Sequence, residues 1–223
     1  MAQDTVVCVF AKPPLPGKVK TRLARAIGEE GAARLARAFL ADVWALVSRL
    51  GWARSVLAST STNVEEFGLG ENIEVWRQGE GDLGARIERI VRRGLGAADR
   101  VLAIGADSPG LPEAILNQAR AMLGSHDAVI GPARDGGFYL LGLRHCPKGL
   151  LANIRWSAAT TGALVAARLH QYGMQLGVLP PWFDVDEVGD LVLLRRRIQV
   201  GAIRAPATKR ALESLALEGI LCA

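Results

Sequence analysis

Short apolar runs alternate along this chain with longer amphipathic stretches, and that alternation most limits what it can fold into. Val6-Val-Cys-Val-Phe10 is an unbroken apolar run of strand length, the pattern of a strand buried on both faces. Residues 31–50 are rich in Ala, Leu and Arg, and place Leu35, Phe39, Val43, Leu46 and Val47 on one helical face. Strand patterns recur over 54–59, 73–77, 100–104, 127–131, 137–143 and 174–179. Helices are expected over 23–33, 82–94 with Asp82 as cap, 112–123, 157–172 with Ser157 as cap, 187–197 and 206–217. A βαβα rhythm of this kind implies an α/β protein with a largely parallel sheet covered on both faces. With no internal repeat, low-complexity tract or linker, one domain over 1–223 is expected.

The loop after the first apolar run concentrates the charge. Lys12-Pro-Pro-Leu-Pro-Gly-Lys-Val-Lys-Thr-Arg22 contains three prolines, a glycine, three lysines and an arginine. Each proline fixes φ and removes an N–H, so the loop is stiff. Lys12, Lys18, Lys20 and Arg22 repel one another in an empty loop, and an anion relieves that repulsion. Ligands of open α/β sheets bind beyond the carboxyl ends of strands, where this loop lies. Hydrogen bonds to charged groups contribute about 1.5–3 kcal/mol each, so two or three hold a phosphate usefully. A plain solvated loop is the alternative, and the prolines weigh against it. Gly17-Lys18 is not part of a phosphate-binding G-x-x-x-x-G-K-[ST] motif, since Lys12 stands five positions before Gly17 and Val19 follows the lysine.

Composition narrows the partners. The chain carries a formal net charge of +5, and a basic protein suits an acidic ligand. Aromatic residues are only 5% and the lysines cluster in one loop, which argues against nucleic acid. Arg195-Arg-Arg197 reads as a solvated helix face. Three cysteines, Cys8, Cys146 and Cys222, without metal spacing point to a reducing, cytoplasmic setting, with Cys8 in the core. No apolar run reaches membrane-spanning length.

Three acidic motifs each follow a strand. In Val101-Leu-Ala-Ile-Gly-Ala-Asp-Ser-Pro109, Asp107 stands just past an apolar run beside small residues. A carboxylate there suits a divalent cation bridging to phosphate, and Asp107 is too far from Pro112 to cap the next helix. Asp135-Gly136-Gly137 is a turn signal that can either close a hairpin or offer backbone N–H groups to a ligand, with Arg134 and Tyr139 beside it. Asp184 and Asp186 are two apart in an extended segment and so share a side, while Val185 faces away. Their repulsion calls for a cation. A helix cap at Asp186 accounts for one of the pair, not both.

Taken together, the loop Ala11 to Leu23, Gly105-Ala-Asp-Ser-Pro109, Gly131 to Leu143, Trp156-Ser157 and Asp184-Val-Asp186 resemble a bacterial family of glycosyltransferase-A-fold proteins, the radical-SAM/selenodomain-associated transferases. A more distant likeness is to phospholactate guanylyltransferase and the molybdenum-cofactor nucleotidyltransferases. Their first loop is usually glycine-rich, whereas this one is proline-rich, and Phe138 stands where many family members have tyrosine. The resemblance implies a three-layer α/β/α fold of the nucleotide-diphospho-sugar transferase type, with an NTP or nucleotide-sugar in the crevice beyond the strand ends. It implies a transferase dependent on Mg²⁺ or Mn²⁺ with a small-molecule acceptor, and the basic loop suits an acceptor that is acidic or phosphorylated. By the same likeness Lys20, Arg22 and Asp107 are catalytic. Lys12, Pro16, Gly17, Lys18, Thr21, Ser108, Pro109, Arg134, Asp135, Gly136 and Gly137 bind substrate, and Asp107 with Asp184 or Asp186 holds the metal. Nucleotidyl transfer is the first expectation and glycosyl transfer the alternative. A non-catalytic nucleotide-binding module is the rival of another class.

Overall fold

In the computed structural model, which describes residues 3–70 and 72–215, the apolar runs assemble into one seven-stranded sheet. Strands β1 (Thr5–Ala11), β2 (Ala53–Ser59), β3 (Val75–Arg77) and β4 (Arg100–Gly105) are parallel. Strand β6 (Phe138–Leu143) runs antiparallel between β4 and β5 (Ala128–Pro132), and β7 (Leu176–Val178) closes the sheet parallel to β5. The order is β3-β2-β1-β4-β6-β5-β7.

Period-two alternation sends Val7 and Val9 to one face of the sheet, and Val6 and Cys8 to the other. Helices α1 (Thr21–Val47) and α3 (Glu113–Met122) cover the first face with Val43, Val47 and Leu116. Helices α2 (Leu83–Leu95) and α4 (Thr161–Gln171) cover the second with Ile87, Ile90, Val165 and Leu169. Full burial of each such side chain stabilises by about 1.5–3 kcal/mol. The expected three layers, mostly parallel sheet and α/β class are therefore present.

A third apolar cluster positions the site. Leu23, Leu35 and Phe39 of α1 pack with Phe183 and Val185, with Leu191 and Leu194 of α5 (Val188–Gln199), and with Leu212 of α6 (Pro206–Ser214). The Asp42 carboxylate fastens α6 to α1 by accepting hydrogen bonds from the N–H groups of Ala207 (2.9 Å) and Thr208 (2.8 Å). This packing draws the segment around Asp184 and Asp186 to the start of α1, although more than 160 residues separate them.

Some boundaries differ from expectation. The two helical stretches expected over 23–33 and 31–50 are one run broken at Gly28, whose φ of 75° and ψ of 160° suit only glycine. Ser157 is not a helix cap. It has a left-handed backbone, and α4 begins at Thr161, whose hydroxyl accepts from the Ala158 N–H. Asp82 does cap α2, accepting from the Ala85 N–H at 2.8 Å. Asp186 does not cap α5. Glu187 and Asp190 form that helix's capping box, leaving the Asp186 carboxylate free for another partner. The strand expected over 174–179 shortens to Leu176–Val178, and residues 216–217 of the last expected helix lie outside the described residues. Among the described residues no helix is long and apolar enough to cross a membrane.

Candidate active site

Beyond the ends of β1 and β4, an ammonium and three carboxylates meet. Lys20 caps the start of α1 in a left-handed conformation, φ 47° and ψ 43°, which is strained for a residue with a side chain. That backbone turns its side chain inward, where it is only 4% exposed. Its Nζ lies 2.9 Å from Asp107 Oδ1 and 2.7 Å from Asp186 Oδ1. Burial works to lower the Lys20 pKa, but the two carboxylates outweigh it and hold the ammonium above the usual lysine value. Asp184 accepts a hydrogen bond from the buried Ser108 hydroxyl. Burial pushes the Asp184 carboxyl up to about 6, with the Asp107 and Asp135 charges adding to the rise and Ser108 and Lys20 opposing it. Val185 is fully buried, and its N–H donates to the Asp107 carbonyl at 3.0 Å. That bond ties the two acidic segments together, and with Val185 turned into the core, Asp184 and Asp186 line the same cleft.

This cluster lies between two lobes of one cleft. One lobe, about 510 Å³, is lined by Lys12, Lys18, Lys20, Thr21, Gln78, Arg86 and Asp107. The other, about 470 Å³, has walls of Phe10, Leu83, Ile87, Phe138 and Trp156, and carries Arg22, Asp135, Asp184 and Asp186. Phe10, Leu83 and Asp186 line both. The first lobe is basic and polar, and the second apolar and acidic.

The residues singled out in the sequence divide accordingly. Lys12, Lys18 and Thr21 line the basic lobe, and neither lysine is ion-paired with a described residue. Gly17 forms the turn of the loop, where Lys18 donates its N–H to the Leu15 carbonyl, and Pro16 is exposed on that turn. Lys20 corrects the expectation that four cations of one loop face a single anion, because its charge is already met by Asp107 and Asp186. Arg22 belongs to the first turn of α1 and pairs with Glu187 at 3.1 Å on the surface. Ser108 and Pro109 are buried, Ser108 as the donor to Asp184. Arg134 is exposed and lines neither lobe.

The Asp135-Gly136-Gly137 turn closes a hairpin, and both of its glycine N–H groups already have acceptors within the turn. Gly136 donates to the Ala133 carbonyl, and Gly137 to the Asp135 carboxylate. A Cβ on Gly136 would lie 1.8 Å from the Ala159 carbonyl oxygen, and Gly136 has φ +86°, so the turn and the entry to α4 fit together only as glycine. Tyr139 is core, its hydroxyl donating to the Pro180 carbonyl at 2.8 Å. Cys8 is buried as expected, and Cys222 lies outside the described residues.

Sequence reasoning missed Gln78 and Arg86. Gln78 opens the Gln78-Gly-Glu-Gly-Asp82 loop after β3, which Arg89 anchors by donating to the Gln78 and Glu80 carbonyls, and Arg86 stands in the first turn of α2, donating to the Gly81 carbonyl at 2.9 Å. The available signal was two closely spaced glycines, Gly79 and Gly81, directly after a strand.

Among the described residues, no three His, Cys, Asp or Glu side chains group closely enough to cage a cation by themselves. Asp107 and Asp186 fit a narrower role, since both already converge on one positive centre. Mg²⁺ in phosphate-handling sites is commonly held by one or two carboxylates, with phosphate oxygens and water completing its shell.

A family model described as "Uncharacterized protein conserved in bacteria (DUF2064)" matches residues 40–158. A candidate nucleotide-diphospho-sugar transferase from Desulfovibrio desulfuricans G20 is 31% identical, with a TM-score of 0.90 over 99% of this chain and 98% of that one. A nucleotidyl transferase from Methanothermobacter shares the fold at 19% identity and a TM-score of 0.57, covering 90% of this chain and all of its own. CMP:2-keto-3-deoxy-manno-octonic acid synthetase, solved with CTP, shares it at 11% identity and a TM-score of 0.53, covering 89% and 99%. No curated protein matches the sequence significantly.

Proposed function

We propose, for a chain that belongs to the DUF2064 family, that it is a metal-dependent transferase acting on a nucleoside triphosphate, passing the nucleotidyl group to a small-molecule acceptor. The observation that carries this reading is the division of charge across the cleft. Lys12, Lys18 and Arg86 line a lobe large enough for a nucleotide, and it ends on the Lys20, Asp107 and Asp186 cluster. A polyphosphate there meets cations along its length and carboxylates at its reacting end.

The chain's own groups perform most of the work. Lys12 and Lys18 neutralise the outer phosphates. The stiff loop holds these charges in place before the substrate arrives, so little reorganisation is needed in the transition state. Lys20 supplies fixed positive charge at the junction of the lobes, where negative charge builds up on the transferred group. Asp107 and Asp186 would hold Mg²⁺ or Mn²⁺, whose contribution is Lewis-acid polarisation of a phosphoryl oxygen. Val185 and Ser108 keep the carboxylates at a fixed spacing by their hydrogen bonds to Asp107 and Asp184.

Glycosyl transfer from a nucleotide-sugar is the second reading. The name carried by the 31% identical Desulfovibrio protein favours it. The likeness to phospholactate guanylyltransferase in the sequence favours the first. One experiment decides between them and tests both. Nucleoside triphosphates and nucleotide-sugars are screened with Mg²⁺ by thermal shift. At a hundred times Kd the linkage is about 2.7 kcal/mol, several degrees for a chain of this size. The ligands that bind are then incubated with candidate acceptors. Pyrophosphate release supports nucleotidyl transfer, and nucleoside diphosphate release supports glycosyl transfer. A flat panel removes the site.

A further inference from the structure

The acceptor is expected from the sequence to be acidic or phosphorylated, and the lining of the second lobe speaks against that. Its body is apolar, with Phe10, Leu83, Ile87, Phe138 and Trp156 around about 470 Å³. Phe138 and Trp156 meet edge to face, ring centroids 6.3 Å apart, forming a corner of two aromatic walls. Leu83 is 44% exposed and lines the lobe, so its side chain is accessible to an occupant. The charged groups are unequal. Asp135, Asp184 and Asp186 line the lobe, and against them stands one cation, Arg22. That cation is already spoken for by Glu187 at 3.1 Å. Asp186 is met by Lys20, so an anion entering here would face the carboxylates of Asp135 and Asp184, neither ion-paired with a described residue, with its one lining cation shared with Glu187, and would leave aqueous solvent to do so.

The neighbouring lobe does not need this space. It holds Lys12, Lys18 and Arg86 for phosphates and adds Gln78, whose amide N–H is held by the Ala58 carbonyl at 2.8 Å in a buried position. A nucleotide fits its volume without reaching the Ile87, Phe138 and Trp156 walls, which belong to the second lobe alone.

We infer that the apolar, acidic lobe is the acceptor site, and that it takes a molecule with an apolar or aromatic body that is neutral or cationic, free of phosphate and carboxylate. The inference rests on the transferase reading for the identity of the occupant as acceptor. Such a molecule lays its body against Phe138, Trp156 and Leu83. It points its polar end, a hydroxyl or an amine, toward Asp184 and Asp186, where the two lobes meet.

Three probes with one shared body test the charge rule: benzyl alcohol, benzylamine and benzyl phosphate. Binding to the full-length protein is read by saturation-transfer NMR, with Kd from titration. Benzylamine and benzyl alcohol should bind, and benzyl phosphate at least about tenfold more weakly than benzylamine, the ratio expected when a single charge interaction changes sign in a partly desolvated site. Asp135→Asn keeps an oxygen for the Gly137 N–H and removes one charge. It should weaken benzylamine about threefold and leave benzyl alcohol unchanged. Leu83→Ala removes an exposed wall without touching the core, and should weaken benzyl alcohol and benzylamine alike by about threefold. Benzyl phosphate binding as tightly as the others overturns the inference. So does a failure of all three to bind, or indifference to both variants, which would place the probes elsewhere. A nucleotide thermal shift on the same samples keeps the two readings apart. If nucleotide binds and the benzyl series fails, only the acceptor class falls. If no nucleotide binds, the transferase reading falls whatever the probes do.

Discussion

Replacing Asp184 by Asn should make the protein more stable at neutral pH, and the gain should disappear in acid. Burial is the main reason its carboxyl is raised from 3.8 to about 6. The folded state therefore holds the proton more tightly than the unfolded chain does. Below about pH 4 the group is protonated in both states and adds no penalty. Above about pH 6 it is ionised in both, and the folded state carries the whole difference. Two units or so correspond to about 3 kcal/mol at most. The side chain lines an open lobe, so solvent screens part of this, and about 1–2 kcal/mol is the expected size. Asparagine is nearly isosteric and keeps an oxygen for the Ser108 hydroxyl, so packing changes little. The assay is urea unfolding of both proteins from pH 4 to pH 7.5 in a chelating buffer. Other titrating groups affect both alike and cancel in the difference. That difference should grow as pH rises across the window. A difference flat to within about 0.5 kcal/mol would refute the claim that Asp184 is a strained, desolvated charge.

Asp107→Asn should lower metal-dependent turnover by at least about a hundredfold while leaving the melting temperature within a few degrees, measured by product release and calorimetry; normal turnover would remove Asp107 from the chemistry. Lys20→Met should cut turnover to a similar extent and, by freeing two carboxylates, let Mn²⁺ bind without nucleotide, read by electron paramagnetic resonance. Gly136→Ala should destabilise by about 2–4 kcal/mol in chemical unfolding, because its methyl would meet the Ala159 carbonyl in a backbone conformation alanine resists. The thiols of Cys8 and Cys146 are pushed up by burial, Cys146 to about 12, so both should react with iodoacetamide at pH 8 far more slowly in the folded protein than in urea, followed by mass spectrometry.

Much of this arrangement was legible because local rules dominate it. Val6 to Phe10 is short, largely β-branched and followed by prolines, which favours a buried strand over a helix, and Asp82 ahead of an amphipathic stretch is a favourable cap. The antiparallel β6 was only half legible: the Asp-Gly-Gly turn is too short for a crossover to a parallel strand, but it suited a ligand-binding loop as well as a hairpin. What the sequence hid depends on distance. Nothing near Lys20 announces that its partners are Asp107 and Asp186, since the α1, α5 and α6 packing that brings them together involves Phe39, Val185 and Leu212 from three parts of the chain. Arg22 read as one cation among four because a loop and the first turn of a helix are indistinguishable in composition. Gln78 was hidden because a polar residue after a strand is ordinary until its neighbours are known.

Lys20 has one more consequence. By lodging its own ammonium between Asp107 and Asp186, the resting protein carries a covalently tethered counter-ion and has no thermodynamic need to scavenge one from its surroundings. Its shape should thus be indifferent to swings in calcium, zinc or iron that would trouble a protein stabilised by a loosely held ion. Melting curves recorded in chelator and in excess divalent salt, with no nucleotide present, should superimpose.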